Sequence, residues 1–264
     1  MTGIPAFPRV ETRFGPMFVL QGDTVIGRSL RLYGEFAGAE VDSILALARP
    51  GDHVLDLGAN IGFHTLALAR RVGPEGRVTS VEPQRYCFQL LCANVTLNQL
   101  TNVQCLRAAA GDAAGFCTVP VIDPLARVNA GATEVMLSPG AEGVDRVSLV
   151  TVDSLDLERC DLVKIDTEGF EVRVLEGAMA TLSRCRPVLY VEVHDREKLK
   201  NVVALLRPLE YRLFLHTTQF FRAGNPNGES VSIFSANAGG HALLAVRADT
   251  PLPDDLPGEL RPIA

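Results

Sequence analysis

Apolar and polar positions change rhythm twice along the chain. Residues 1 to about 35 are mixed and turn-rich, with short apolar bursts such as Met17-Phe18-Val19-Leu20. Residues 39–48 then carry Val41, Ile44, Leu45, Leu47 and Ala48 at helical spacing. Pro50-Gly51 ends that helix, because proline cannot continue it and glycine takes the turn. From residue 53 short apolar runs alternate with helical stretches. The pattern predicts strands over 53–57, 77–81, 103–108, 162–165 and 187–191, and helices over 61–72, 84–97 and 172–182. After residues 199–206, strands at 212–215 and 242–246 complete the series.

Such alternation predicts an α/β fold, a mostly parallel sheet with helices on both faces and right-handed crossovers. Residues 113–158 break the rhythm. They contain Pro120, Pro124, Pro139 and several glycines, with β-rich pieces at 117–119 and 147–152, and read as an inserted hairpin or lid. The expected organisation is an N-terminal segment with a cap helix (1–50), a main domain (51–249) carrying that insertion, and a C-terminal tail (250–264). The tail is proline-rich and is expected to trail along the surface.

Composition narrows the class. The chain has 264 residues, 47% of them hydrophobic and 21% charged, enough for a globular core without staples. The net charge of −6 repels phosphate, so no nucleic-acid partner is expected. No apolar run is long enough to span a bilayer, and no basic segment followed by an apolar core marks a secretory signal, so no membrane partner and a cytoplasmic location are expected. The six cysteines form no C-x-x-C pair and fit no zinc spacing, which predicts reduced, mostly buried thiols.

The chemistry begins where the first predicted strand ends. Gly58 allows positive φ and close backbone approach, and Gly62 opens the next helix. Glu82 ends the second strand, 20 residues after Gly62, where a carboxylate can accept from both hydroxyls of a ribose. A glycine turn followed by an acid serves NAD and S-adenosylmethionine (SAM) alike. Asn60, however, replaces the middle glycine that admits a pyrophosphate, and Asp56 adds negative charge suited to a sulfonium and an ammonium group. The expected cofactor contacts are therefore Asp56, Gly58, Asn60, Gly62 and Glu82, with Asp112 placed after the third strand for the adenine amine.

Asp56 to Gly62, Glu82-Pro83 and Lys164-Ile165-Asp166-Thr167-Glu168-Gly169-Phe170-Glu171 together resemble the FkbM family of methyltransferases. Tyr33-Gly34-Glu35, Glu40 and Arg127 to Gly131 are similar to weaker features of that family. The resemblance runs from about residue 33 to 215. It implies a class I, Rossmann-like, mostly parallel seven-stranded sheet and SAM-dependent O-methylation of a hydroxyl on a sugar, glycan or natural product. A small-molecule or glycan acceptor is thus the expected partner.

Alkylating a hydroxyl requires an aligned acceptor and a proton acceptor. Asp166 is the expected contact to the acceptor or a metal, and His194 the expected general base because the intrinsic pKa of an imidazole lies nearest neutrality. Glu192 shares their rim, and Glu168 reads either as a site acid or as a helix cap. His64 follows the glycine turn and could line the cofactor or pack. Lys164, inside an apolar strand, reads as one half of a salt bridge. Asp166, Glu192, His194 and Asp195 could hold a divalent metal, but no spacing demands one and no metal ligand set is assigned. RNA or protein methylation on the same fold, and a non-catalytic SAM-binding module, stay open, as does the oligomeric state, a homodimer included.

Overall fold

The computed structural model describes residues 6–131, 143–193 and 195–263. The opening segment is more ordered than its pattern suggests. It forms a hairpin of β1 (Arg9–Thr12) and β2 (Gly15–Phe18), then α1 (Ile26–Tyr33) and α2 (Gly38–Leu47). Met17, Val19 and Leu20 are fully buried and pack with Ile61, Leu66 and Leu91. The apolar burst is therefore a wedge against the main domain.

The predicted alternation follows as β3 (His53–Leu57), α3 (Phe63–Val72), β4 (Arg77–Val81), α4 (Arg85–Leu97) and β5 (Val103–Leu106). Gln84 caps α4, its side chain accepting from the Tyr86 and Cys87 amides. The third predicted strand stops early. After Arg107 the chain turns into β6 (Ala108–Ala110), which joins β7 (Gly115–Pro120) and β8 (Val144–Val150) in a separate three-stranded sheet of order β6-β8-β7. The insertion thus carries a small sheet of its own.

Next come β9 (Leu162–Ile165), α5 (Glu171–Glu176), α6 (Met179–Cys185), β10 (Val188–Glu192), α7 (Arg196–Leu206), β11 (Arg212–Gln219), β12 (Gly239–Val246) and β13 (Glu259–Ile263). The single helix expected over 172–182 is broken in two. A Cβ on Gly177 would sit 2.0 Å from the Gly111 carbonyl oxygen, so the chain bends there against the β6 turn. Asp153 then caps the restart by accepting from the Ala180 and Thr181 amides at 3.0 and 2.7 Å.

The main sheet has eight strands in the order β13-β11-β12-β10-β9-β3-β4-β5. The run β10-β9-β3-β4-β5 is parallel, and β12 enters antiparallel between β10 and β11. Seven of the eight were expected. The eighth comes from the tail, where β13 pairs antiparallel with β11 at the sheet edge. An edge position tolerates Pro262, which cannot donate to a ladder on both sides. The His216 ring anchors the approach to that strand, bonding the Tyr190 hydroxyl at 2.8 Å and the Pro257 carbonyl at 2.7 Å. Among the described residues no helix is long and apolar enough to cross a membrane.

The chain leaves β3 toward β4 and β5, and later returns to β9 on the other side. This reversal puts a crevice beyond the carboxyl ends of β3 and β9, where ligands bind in open α/β sheets.

Candidate active site

Two turns meet at that crevice. Gly58 has φ +80°, and a Cβ on it would lie 1.6 Å from the Asp166 carbonyl oxygen. Only glycine lets the turn after β3 touch the turn after β9. Asn60 also sits in the left-handed region, at φ +49°, a conformation its short amide tolerates. Its side chain accepts from the Ile61 amide at 2.7 Å, and its own amide donates to Glu82 Oε2 at 2.8 Å. Gly62 starts α3 and does not line the crevice. A Cβ there would press on Leu91 Cδ1 at 2.7 Å, which gives Gly62 a packing role against α4.

Glu82 does face the crevice. Its Oε1 accepts from the Gln84 amide at 2.8 Å while Oε2 takes Asn60. Burial, aided by the charges of Asp166 and Asp56 and opposed by these two amides, pushes the carboxyl up to about 7.

Asp56 lies one layer deeper than expected. Strand alternation puts Leu55 and Leu57 on one face of the sheet and Asp56 on the face covered by α3. It is 0% exposed, accepts from Thr65 Oγ1 at 2.6 Å, and lies 3.7 Å from Lys164 Nζ. Its charge meets an internal cation and is not offered to a ligand. The salt-bridge reading of Lys164 holds, with two partners: Nζ also donates to Asp166 Oδ2 at 3.1 Å. Burial would lower the Lys164 pKa, but the charges of Asp166, Asp56 and Glu40 hold it above the ordinary lysine value.

Asp166 and Glu192 come together as expected at the rim. Burial alone would raise the Asp166 pKa. The Lys164 ammonium and hydrogen bonds from Glu192 and Lys164 outweigh it and keep Asp166 ionised, well below the usual carboxylate range. Burial and the Asp166 charge push Glu192 in the opposite direction, so it carries the pair's proton. Glu168 stands beside them at φ +45°, and one oxygen from each of these three acids lies within 4.8 Å of the others. The capping role weighed for Glu168 belongs to Glu171, whose Oε1 accepts from the Thr167 and Gly169 amides. Asp195 caps α7 by accepting from the Lys198 amide at 2.8 Å, which draws it out of the metal set considered from sequence. His194 lies outside the described residues.

Asp112, expected near the adenine amine, does not line the crevice. It is exposed and pairs with Arg173 at 3.2 Å, outside the crevice. The turn of the chain into β6 carries it past the rim, and Ala108, Ala109 and Ala110 line the wall instead.

One continuous cavity of about 520 Å³ joins these parts, within the ~300–1,000 Å³ common for small-molecule sites. The segment around Asn129 closes one side. It pairs with the N-terminal segment through Thr24 N to Val128 O at 2.9 Å and Val128 N to Gly22 O at 3.2 Å. His64 also lines the cavity, with Nε2 3.4 Å from Glu40 Oε1. Phe36, Phe220 and Phe234 complete the far wall. No periodicity marked these phenylalanines. Only the nearby Tyr33-Gly34-Glu35 and Glu40 gave a signal.

A family model described as the methyltransferase FkbM domain matches residues 56–224. A methyltransferase named sdnD from Sordaria araneosa is 29% identical over 154 residues, 47% of this chain and 59% of that protein. The 31-O-demethyl-FK506 methyltransferase FkbM of Streptomyces tacrolimicus is 33% identical over 190 residues, 60% of this chain and 72% of that one. The crystal structure of methyltransferase FkbM from Methylobacillus flagellatus superposes with a TM-score of 0.53 at 18% identity, covering 75% of this chain and 44% of the other. The chain thus spans about three fifths of the Sordaria protein's length and under half of the crystallised one.

Proposed function

Because the chain belongs to the FkbM methyltransferase domain family and has the class I methyltransferase fold, we propose that it is a SAM-dependent O-methyltransferase acting on a hydroxyl of a small molecule or glycan. The observation that carries this reading is the single cavity running from Glu82, past Gly58, to the Asp166–Glu192 pair. Glu82 would take the ribose hydroxyls, and the Ala108–Ala110 wall gives the adenine an apolar seat. The acids at the other end suit a cationic sulfonium and ammonium.

When bound, SAM supplies the electrophilic methyl: the acceptor oxygen forms the new O–C bond as the C–S bond breaks, and the electron pair stays on sulfur. The chain's part is positioning and proton handling. Asp166, held ionised by Lys164, accepts a hydrogen bond from the acceptor hydroxyl and orients its lone pair. As the new bond forms the hydroxyl proton becomes strongly acidic, so a carboxylate of low pKa is base enough to receive it. Glu192 keeps its own proton and donates to Asp166, which fixes the carboxylate's orientation. The rim acids and the net charge of −6 also favour a small acceptor over RNA.

Calorimetry with SAM and mass spectrometry of products test the reading. Glu82→Ala should weaken SAM binding by tenfold or more (about 1.4 kcal/mol), and Asp166→Asn should leave binding intact while slowing transfer. Wild-type affinity in Glu82→Ala would remove the assignment of the cofactor end.

A further inference from the structure

Beyond Asp166 and Glu192 the cavity changes character. Across the rim, the order runs from Glu82 after β4, to Gly58 after β3, Asp166 after β9, Glu192 at the end of β10, and then the connection between β11 and β12. That connection brings Phe220 and Phe234 against Phe36 of the N-terminal segment. The ring centroids are 5.4 Å apart for Phe36–Phe220, 5.5 Å for Phe220–Phe234 and 6.5 Å for Phe36–Phe234. All three rings are only partly buried, and all three face the cavity.

The wall is held in place from behind. Arg222 pairs with Glu35 and Asp42, joining the connection to the N-terminal segment. Tyr33 accepts from the Ile233 amide at 2.7 Å and donates to the Val231 carbonyl at 3.1 Å. Asn225 closes the turn between, bonding the Arg222 and Glu229 carbonyls at 3.0 and 2.7 Å. Three rings fixed this way form a pre-organised apolar surface, and pre-organisation removes the ordering cost of binding.

We propose that Phe36, Phe220 and Phe234 form the acceptor subsite, and that the acceptor is a hydroxyl borne on an apolar ring system. This rests on the reading of the Glu82 end as the cofactor end. Topology then leaves the phenylalanine wall as the surface on the far side of Asp166. An acceptor that presents its hydroxyl to Asp166 lays the rest of its body on that wall. The rings stack on an apolar ring and offer no donor or acceptor to further hydroxyls, which would lose water without gaining a partner.

The test uses 1-naphthol and methyl glucoside as probes, each titrated with and without S-adenosylhomocysteine. Naphthol should bind at least about tenfold more tightly than the glucoside, and Phe220→Ala with Phe234→Ala should weaken it by about tenfold. Phe220→Leu with Phe234→Leu, which keeps more of the packing, should weaken it less. S-adenosylhomocysteine affinity, unchanged in both double variants, reports that the fold and the cofactor end are intact. Equal binding of the glucoside, or naphthol affinity indifferent to both double variants, overturns the proposal. Failure of the wild type to bind S-adenosylhomocysteine would instead remove the cofactor reading, and the naphthol titrations without it still decide the nature of the wall.

Discussion

Replacing Lys164 with methionine keeps most of its volume and deletes the one cation between two acids. Nζ lies 3.7 Å from Asp56 and 3.1 Å from Asp166, and the side chain is 3% exposed. At the effective interior screening that reproduces measured pairs, each contact is worth roughly 4–5 kcal/mol before the cost of dehydrating the ions. Asp56 has 0% exposure and no route to water. Asp166 is 32% exposed on its side chain and recovers part of its loss from solvent. The net cost therefore falls mainly on Asp56, and breaking a buried pair from one side typically costs about 3–5 kcal/mol. Denaturant unfolding at pH 8 should show that loss, a large share of a domain's usual stability. Lys164→Met combined with Asp56→Asn removes both charges and should recover at least half of it. The sign with pH also follows. The depressed pKa of wild-type Asp166 contributes stability above the unfolded carboxylate value, lost as pH falls toward the folded value. In Lys164→Met that contribution is gone, so the gap between variant and wild type should narrow on acidification. A loss under about 1 kcal/mol at pH 8, or a double variant no better than the single, would refute the view that Lys164 neutralises Asp56.

Three other perturbations separate the parts of the site. Glu82 is raised to about 7 by burial, so the folded chain holds a proton that the unfolded chain releases near pH 4; stability should fall by about 3 kcal/mol as pH rises through this window, and Glu82→Gln should flatten that slope in unfolding curves at pH 5 and 8. The same group predicts proton release on SAM binding at neutral pH, read by calorimetry in buffers of different ionisation enthalpy and absent in Glu82→Gln. Gly58→Ala places a Cβ 1.6 Å from the Asp166 carbonyl at a positive φ, and should abolish cofactor binding or cost several kcal/mol of stability; near-native values for both would show that the two turns part freely. Asp112→Ala breaks only an exposed pair with Arg173, so SAM affinity should stay within about twofold, and a larger loss would return Asp112 to the cofactor site.

What could be read in advance, and what could not, divides along a physical line. The β3–α3–β4–α4 unit was legible because each element is short, amphipathic or apolar, and bounded by Gly or Pro, so neighbours in sequence are neighbours in space. Gly58, Asn60, Glu82, Asp166 and Glu192 were legible for a related reason. Each ends a parallel strand or follows one, and parallel strands share a rim. Asp56 and Asp112 carry the right residue types a step away from that rim. Asp56 is turned inward by alternation, and its partner arrives on β9, far along the chain. Asp112 is carried off because the chain enters a second sheet at Ala108, a departure that an apolar run through residues 103–110 conceals.

The phenylalanine wall was illegible for a different reason. Phe36, Phe220 and Phe234 obey no period, since none lies within a strand or helix, and they come from the two ends of the fold. What assembles them is charge as much as apolarity. Arg13 and Arg222 both reach Glu35 and Asp42, so two cations and two anions bridge the N-terminal segment and the β11–β12 connection. The polar network fixes which apolar faces meet, and a network with satisfied partners specifies one arrangement better than ring contacts alone. It follows that the Glu82 end of the cavity depends on strand-end residues set by the sheet, whereas the far wall depends on two connections outside its strands. If the wall is the acceptor subsite proposed above, exchanging residues at 36, 220 and 234 should alter the acceptor while Glu82, Gly58 and Lys164 stay fixed.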